Sequence, residues 1–117
     1  MIYFRSYLLL LTFFIGTSFS TFHHGWAEYN QKKKLDFKTT IEESIFENPH
    51  ALVKVEFEDQ IWTVYLAPTS RMADRGVKAV MIKKGEVVRL VAYPHKTIKT
   101  EMRAERIFVN GKKFELR

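Results

Sequence analysis

Four histidines are the residues best suited to chemistry in this chain of 117 residues. His23 and His24 adjoin each other, whereas His50 and His95 each follow a proline. Imidazole is a preferred side-chain ligand for zinc, copper and nickel, and a proline holds the backbone beside it in place. We therefore predict a metal site formed by His23, His24 and His50, with His95 a weaker candidate for a fourth ligand. The expected ion is copper, nickel or zinc.

Two other interpretations of these histidines stay open. In the first, the imidazoles are structural, and their hydrogen bonds to carbonyl groups fix how the amino-terminal segment lies on the fold. In the second, cleavage of the chain after Ser20 leaves Thr21-Phe22-His23 at the terminus. The free amine, two backbone amides and the third-position imidazole then offer four nitrogens in a square, which suits copper(II) or nickel(II).

The sequence lacks the residue patterns that other catalytic chemistries require. The chain has no cysteine, which excludes disulfides, thiolate metal sites and cysteine nucleophiles. Its five glycines are scattered singly, so no glycine-rich phosphate loop is present. Ser44 and Ser70 are not set in a nucleophile elbow, and Glu42 and Glu43 would point to opposite sides of a strand. We predict no catalytic and no cofactor-binding residues.

The first twenty residues differ in kind from the rest of the chain. Arg5 is their one charged residue, and an apolar run from Tyr7 to Ile15 follows it. Ser18 and Ser20 are small residues at the positions that a signal peptidase requires. The run is well short of the roughly 20 residues that span a bilayer. We therefore predict a signal peptide over residues 1–20 and export to the periplasm or cell envelope, with an uncleaved anchor as the alternative.

The elements that would position these histidines are mainly strands. Residues 21–34 show no hydrophobic period and are expected to form an extended amino-terminal segment. From Leu35 onwards apolar residues alternate with polar ones, and turn residues divide the pattern. We predict a first strand from Leu35 towards Phe46 with a bend near 42–44, and further strands over 53–57, 61–66, 86–93, 101–109 and 112–116. A short helix over Arg71–Arg75, capped by Thr69 or Ser70 and closed by Gly76, is expected after the third strand.

This order of elements predicts the fold class. Three strands, one short helix and two more strands are the sequence of a small five-stranded OB-like barrel, here over residues 35–117. The last short strand folds back on the fifth through Asn110-Gly111, a strong hairpin signal. A split sandwich or an open meander with one helix on its face is the alternative.

The motifs also resemble a known family. The chain carries HHGW at 23–26, the turn Asn48-Pro49-His50, Trp62, a Leu-Ala-Pro run before the helix, and Lys-Gly-Glu-Val at 84–87. In this order they resemble a family of small exported bacterial proteins that is catalogued as a domain of unknown function, over nearly all of the chain after residue 22. The resemblance implies export and an OB-like barrel and names no reaction. Members characteristically begin the mature domain with the histidine pair, whereas Phe22 precedes it here.

Composition and charge limit the function classes. The formal net charge is +6, and residues 71–117 hold 13 basic against five acidic residues. We expect an exported, monomeric, non-enzymatic module that binds a small ligand or a metal ion and does not bind nucleic acid. The alternatives are a metal-dependent enzyme using a histidine-bound ion, or a basic module that binds an anionic surface or an envelope protein. Acidic and basic strands that lie side by side and neutralise each other would weaken the last alternative.

Overall fold

The structure, a computed structural model, describes residues 25–117. The first regular element within this range is a 3-10 turn over Trp26–Glu28. The strands and the α-helix are β1 Leu35–Ile45, β2 Leu52–Phe57, β3 Gln60–Tyr65, α1 Thr69–Asp74, β4 Val87–Pro94, β5 Glu101–Val109 and β6 Lys112–Glu115. A second 3-10 turn, Ala79–Ile82, lies between α1 and β4. No helix in this described part of the chain is long and apolar enough to cross a membrane.

The sheet closes on itself as a barrel. Its strand order is β3-β2-β1-β4-β5-β6, and β3 also pairs with β5, in parallel, from Thr63–Tyr65 to Glu101–Arg103. This additional pairing closes the five strands β1 to β5 into a ring, while β6 extends the β5 hairpin. The OB-like fold class is therefore confirmed, with the one short helix between β3 and β4 in sequence.

Strand β1 is long because it serves two neighbours. Its first half pairs with β4 and its second half with β2. The register with β2 shifts between Ile41 and Glu43, where a bulge bends the strand. The bend lies where the sequence predicted it.

The core is built from inward-facing residues, which alternate with outward-facing residues along the strands. Val53, Val55, Val64 and Leu90 are each at most 1% exposed. The same alternation that predicted the strands therefore describes the barrel interior. Trp62 is half-buried and packs against this core, with its indole Nε1 donating to the carbonyl oxygen of Phe57 at 3.1 Å.

The predicted helix cap is wrong. Pro68, not Thr69 or Ser70, precedes the first helical residue, and no side chain caps the helix. Thr69 already lies inside the helix, and its hydroxyl hydrogen-bonds the side chain of Asn48 at 2.6 Å instead. The hydroxyl thereby ties the start of α1 to the Asn48-Pro49-His50 turn. Gly76 does follow the helix in the left-handed region, at φ 90°.

Two connections complete the barrel. In the second 3-10 turn, Ile82 is fully buried and joins the core, whereas Val80 is 61% exposed. The turn joining β2 to β3 is Glu58-Asp59, and both residues have positive φ.

The amino-terminal segment is folded onto the barrel. After the 3-10 turn, Tyr29 forms an antiparallel bridge with His95 at the end of β4. The Asn30 amide donates to the Pro94 carbonyl at 2.8 Å, and the Lys96 amide donates to the Glu28 carbonyl at 2.9 Å. Through these bonds, the segment pairs with the chain at the end of β4 in the manner of a very short antiparallel strand.

Candidate functional site

A cleft of about 770 Å³ lies where two loops meet the amino-terminal segment. One loop joins β1 to β2 and carries Pro49 and His50; the other joins β4 to β5 and carries His95, Thr97 and Ile98. Glu28 and Tyr29 form the third wall, and the ends of β3 and β5 supply Tyr65, Glu101 and Arg103. The cleft thus draws side chains from both loops that OB-type barrels use to bind ligands.

Tyr29 is the structural centre of the amino-terminal wall. It is 5% exposed, and its hydroxyl donates to Glu101 Oε2 at 2.9 Å. Burial, together with this hydrogen bond to a carboxylate, raises the pKa of Tyr29 far above its usual value. Tyr29 is therefore a neutral donor that holds Glu101 in one orientation.

His95 is engaged by its own loop. Its side chain is 8% exposed, and Nδ1 accepts the backbone N–H groups of Thr97 at 3.1 Å and Ile98 at 2.9 Å. An accepting Nδ1 carries no proton, so this hydrogen-bond pattern assigns the proton of the neutral ring to Nε2. Nε2 lies 4.0 Å from Glu101 Oε2. Metal binding by either nitrogen would disturb this arrangement, which argues against His95 as a ligand.

His50 lies on the opposite side of the cleft. It follows the cis peptide bond Asn48-Pro49, and its ring meets Tyr65 edge-on at 6.5 Å between centroids. Backbone hydrogen bonds fix the next residue: the Ala51 amide donates to Ala67 at 2.8 Å, and the Ala51 carbonyl accepts from Leu66 at 2.9 Å. His50 is therefore held at a defined place beside the end of β3.

Arg103 places a positive charge in the cleft wall. It is half-buried, and its guanidinium lies 4.5 Å from the centre of the Trp26 ring. Burial lowers the pKa of Arg103, Tyr29 opposes this effect, and the charges of Arg71 and Arg117 lower the pKa further. An arginine keeps its proton in spite of such shifts, so the group remains a cation.

Trp26 anchors the amino-terminal segment. Besides Arg103, the guanidinium of Arg117 lies 4.3 Å from its ring centre. The ring also meets Tyr93 edge-on at 6.0 Å and Tyr29 at 6.3 Å. Trp26 and Tyr29 together therefore hold this segment against the barrel.

The sequence reasoning missed the outer face of β5. Glu101, Arg103 and Glu105 share that face because side chains of a strand alternate. Glu105 accepts the Tyr93 hydroxyl at 3.0 Å, as Glu101 accepts that of Tyr29. The charged residues at every second position of this strand indicated an outward-facing surface. The tyrosines that pair with the two glutamates could not be found in this way, because they lie far away in sequence.

Of the three predicted metal ligands, only His50 lies within the residues that the structure describes. His23 and His24 lie outside the described residues, while His50 lies in the cleft. Within residues 25–117, no group of three His, Asp or Glu side chains is placed to hold a metal ion. A metal site at His50 would therefore need ligands from outside that range, as the predicted pair would supply.

Comparison with known proteins gives a family and no activity. The model of a family of unknown function, DUF6152, matches residues 13–103, which is more than half of the chain. No curated protein matches the chain. The resemblance that the sequence motifs suggested is thereby confirmed: the chain belongs to the family of unknown function DUF6152.

Proposed function

We propose that this protein is an exported, non-enzymatic binding module of the periplasm or cell envelope. It holds a small ligand in the cleft between the β1–β2 and β4–β5 loops. The observation that carries this proposal is the cleft itself, in which rings and an aliphatic side chain surround a few polar groups. That composition is typical of small-molecule sites.

The state of the polar groups favours binding over reaction. A general acid or base must reach the substrate with a group that is able to exchange a proton. Here Tyr29 donates to Glu101, and His95 Nδ1 accepts two backbone amides. Internal hydrogen bonds thus hold these side chains in place and fix the shape of the cleft, as expected for a rigid binding site.

A thermal-shift experiment tests this function. The protein recovered from the envelope fraction is heated with a panel of monosaccharides, amino acids, nucleosides and small carboxylates. A ligand that binds only the folded state raises the midpoint of unfolding. We expect at least one class to do so, and we expect Ile98→Ser and His50→Ala to reduce the shift. Val80→Ser, at an exposed position in the second 3-10 turn and outside the cleft lining, is the matched control. Shifts that both cleft variants leave unchanged would contradict the cleft as the site.

Binding of copper, nickel or zinc through His23, His24 and His50 is a second candidate function. The observation that favours it is the position of Glu28 and Tyr29 in the wall of the cleft that holds His50. His24 precedes Tyr29 by five residues, so their Cα atoms are at most about 19 Å apart, since successive Cα atoms are 3.8 Å apart. The chain length therefore permits the pair to reach His50.

Calorimetric titration of the three ions separates this candidate from its rivals. Binding tighter than about micromolar is expected, as for a site with three imidazole ligands, and His24→Ala and His50→Ala should each weaken it strongly. His95→Gln is the control that removes an imidazole already engaged by its loop. Binding that survives both alanine variants would show that only the terminal amine and His23 hold the ion.

A further inference from the structure

The charged groups that line the cleft are already engaged within the protein. Glu101 accepts the Tyr29 hydroxyl at 2.9 Å. The Arg103 guanidinium stacks on Trp26 at 4.5 Å and has a further interaction within the protein. Glu28 is engaged as well. A charged ligand would therefore give up its hydration without gaining an unpaired group of opposite charge, and burying a charge in this way is costly.

The two loops present mainly apolar side chains to a ligand. On the β4–β5 loop, the backbone amides of Thr97 and Ile98 already donate to His95 Nδ1. The Ile98 side chain is 52% exposed in the cleft lining. Pro49 is an exposed apolar residue of the β1–β2 loop in the same lining. The loops therefore suit a ligand that buries apolar surface against them.

Tyr65 supplies a polar group that a ligand can use. It lies at the end of β3, is half-buried and lines the cleft. Within residues 25–117 its hydroxyl makes no hydrogen bond, whereas the hydroxyls of Tyr29 and Tyr93 each donate to a glutamate. A phenol hydroxyl is able both to donate and to accept. The ring of Tyr65 meets that of His50 edge-on, so aromatic surface lies beside this hydroxyl.

We propose that the ligand of this cleft is an uncharged molecule with an aromatic ring and a hydrogen-bonding group, which pairs with the Tyr65 hydroxyl. This inference rests on the proposed binding function and names its ligand class. The ligand ring packs beside Tyr65 and His50, because aromatic rings favour edge-to-face and offset contacts with one another. Pro49 and Ile98 cover it from the two loops.

Four small molecules provide the test. Benzamide, benzoate and benzylamine share a ring and differ in charge at neutral pH, and cyclohexanecarboxamide carries the uncharged amide on a saturated ring. Each is titrated into the 15N-labelled protein, and its affinity is read from the shifts of the cleft amides. We expect benzamide to bind about ten-fold or more tightly than benzoate or benzylamine, because an unpaired charge is costly to bury. We expect it to bind about three-fold more tightly than cyclohexanecarboxamide, because aromatic contacts add to the burial of area.

A pair of matched variants assigns the hydrogen bond to Tyr65. Tyr65→Phe keeps the ring and removes the hydroxyl, and it should weaken benzamide binding by about three- to ten-fold, the usual effect of one neutral hydrogen bond. Tyr93→Phe removes a hydroxyl that pairs with Glu105 outside the cleft lining, and it should leave the affinity unchanged. The comparison of the four molecules on the wild type does not depend on the folding of either variant.

Several results would overturn the proposal. Benzoate or benzylamine binding as tightly as benzamide would refute the uncharged ligand, and equal affinity for cyclohexanecarboxamide would refute the aromatic ring. Unchanged benzamide binding by Tyr65→Phe would refute the role of its hydroxyl. These three results leave the binding function standing. If none of the four molecules shifts the cleft amides, the whole ligand class is wrong, and the thermal-shift panel decides separately whether the cleft binds something else.

Discussion

At the scale of single residues, the hydrogen bond between Tyr29 and Glu101 connects the amino-terminal segment to β5 and shapes the cleft. Tyr29→Phe removes this bond and keeps the ring. We expect the free energy of unfolding to fall by about 1.5–3 kcal/mol, the range of a hydrogen bond to a charged partner. Urea denaturation at neutral pH measures the loss, and an unchanged midpoint would show that the bond contributes nothing.

The same residue predicts a dependence on alkaline pH. The folded state raises the pKa of Tyr29, mainly through burial, while the unfolded chain titrates near 10. The stability that the neutral hydroxyl contributes is therefore complete below about pH 10 and is lost as pH rises beyond it. Wild type should lose stability between about pH 9.5 and 11.5 more steeply than Tyr29→Phe. Parallel curves for the two proteins would contradict this. Tyr93, whose pKa is also raised by burial, contributes to the slope that remains in Tyr29→Phe.

At the scale of elements, the 3-10 turn over 26–28 and the bridge residue Tyr29 are held against the barrel by one indole ring, that of Trp26. Trp26→Ala removes the ring from Arg103, Arg117 and Tyr93 at once. Because Trp26 is half-buried, we expect a loss of about 2–3 kcal/mol, below the range for a fully buried tryptophan. We also expect weaker binding in the cleft, since Arg103 loses its support. Trp26→Phe retains an aromatic face and should recover most of both properties. Stability equal to wild type in Trp26→Ala would mean that the segment is not anchored by this ring.

The strands were predictable from sequence, and the contacts that make the cleft were not. Alternation around Val53, Val55 and Val64 marks half-buried strands whatever their partners are. The parallel pairing of β3 with β5 joins residues nearly forty positions apart and leaves no local pattern. Likewise, a run without hydrophobic period before Leu35 gave no sign that Tyr29 would bridge His95. His50 does lie in a loop at the predicted Asn48-Pro49 turn, and its role as a metal ligand stays a prediction. The engagement of His95 depends on the backbone of its own loop, which no sequence pattern indicated.

At the scale of the whole molecule, acidic and basic residues meet across some strands and not others. Asp36 and Arg89 form a bidentate pair between β1 and β4, with both N–O distances 2.8 Å. Lys54 and Glu43 lie 3.6 Å apart between β2 and β1. Such exposed pairs contribute little to stability. They do neutralise part of the charge on the strands, which weakens the alternative of a uniformly basic face.

Export is a prediction about the whole chain. Residues 1–20 have the composition of a signal peptide, and Ser20 ends its cleavage motif. The protein recovered from the envelope fraction should therefore begin at Thr21, with a net charge of +5 after the loss of Arg5. Intact mass measures this directly. A mass that retains the first twenty residues would replace the cleaved signal with an uncleaved anchor.

The most direct test of the binding function asks where small molecules settle on the protein, whatever their chemistry. Crystals are soaked with a diverse set of fragments, and the electron density is searched for bound ones. We predict that fragments concentrate in the cleft between His50, Ile98 and Arg103, more than in the shallow acidic depression beside Thr39 and Glu42. Fragments spread evenly over the surface, or gathered at that depression with the cleft empty, would contradict the account.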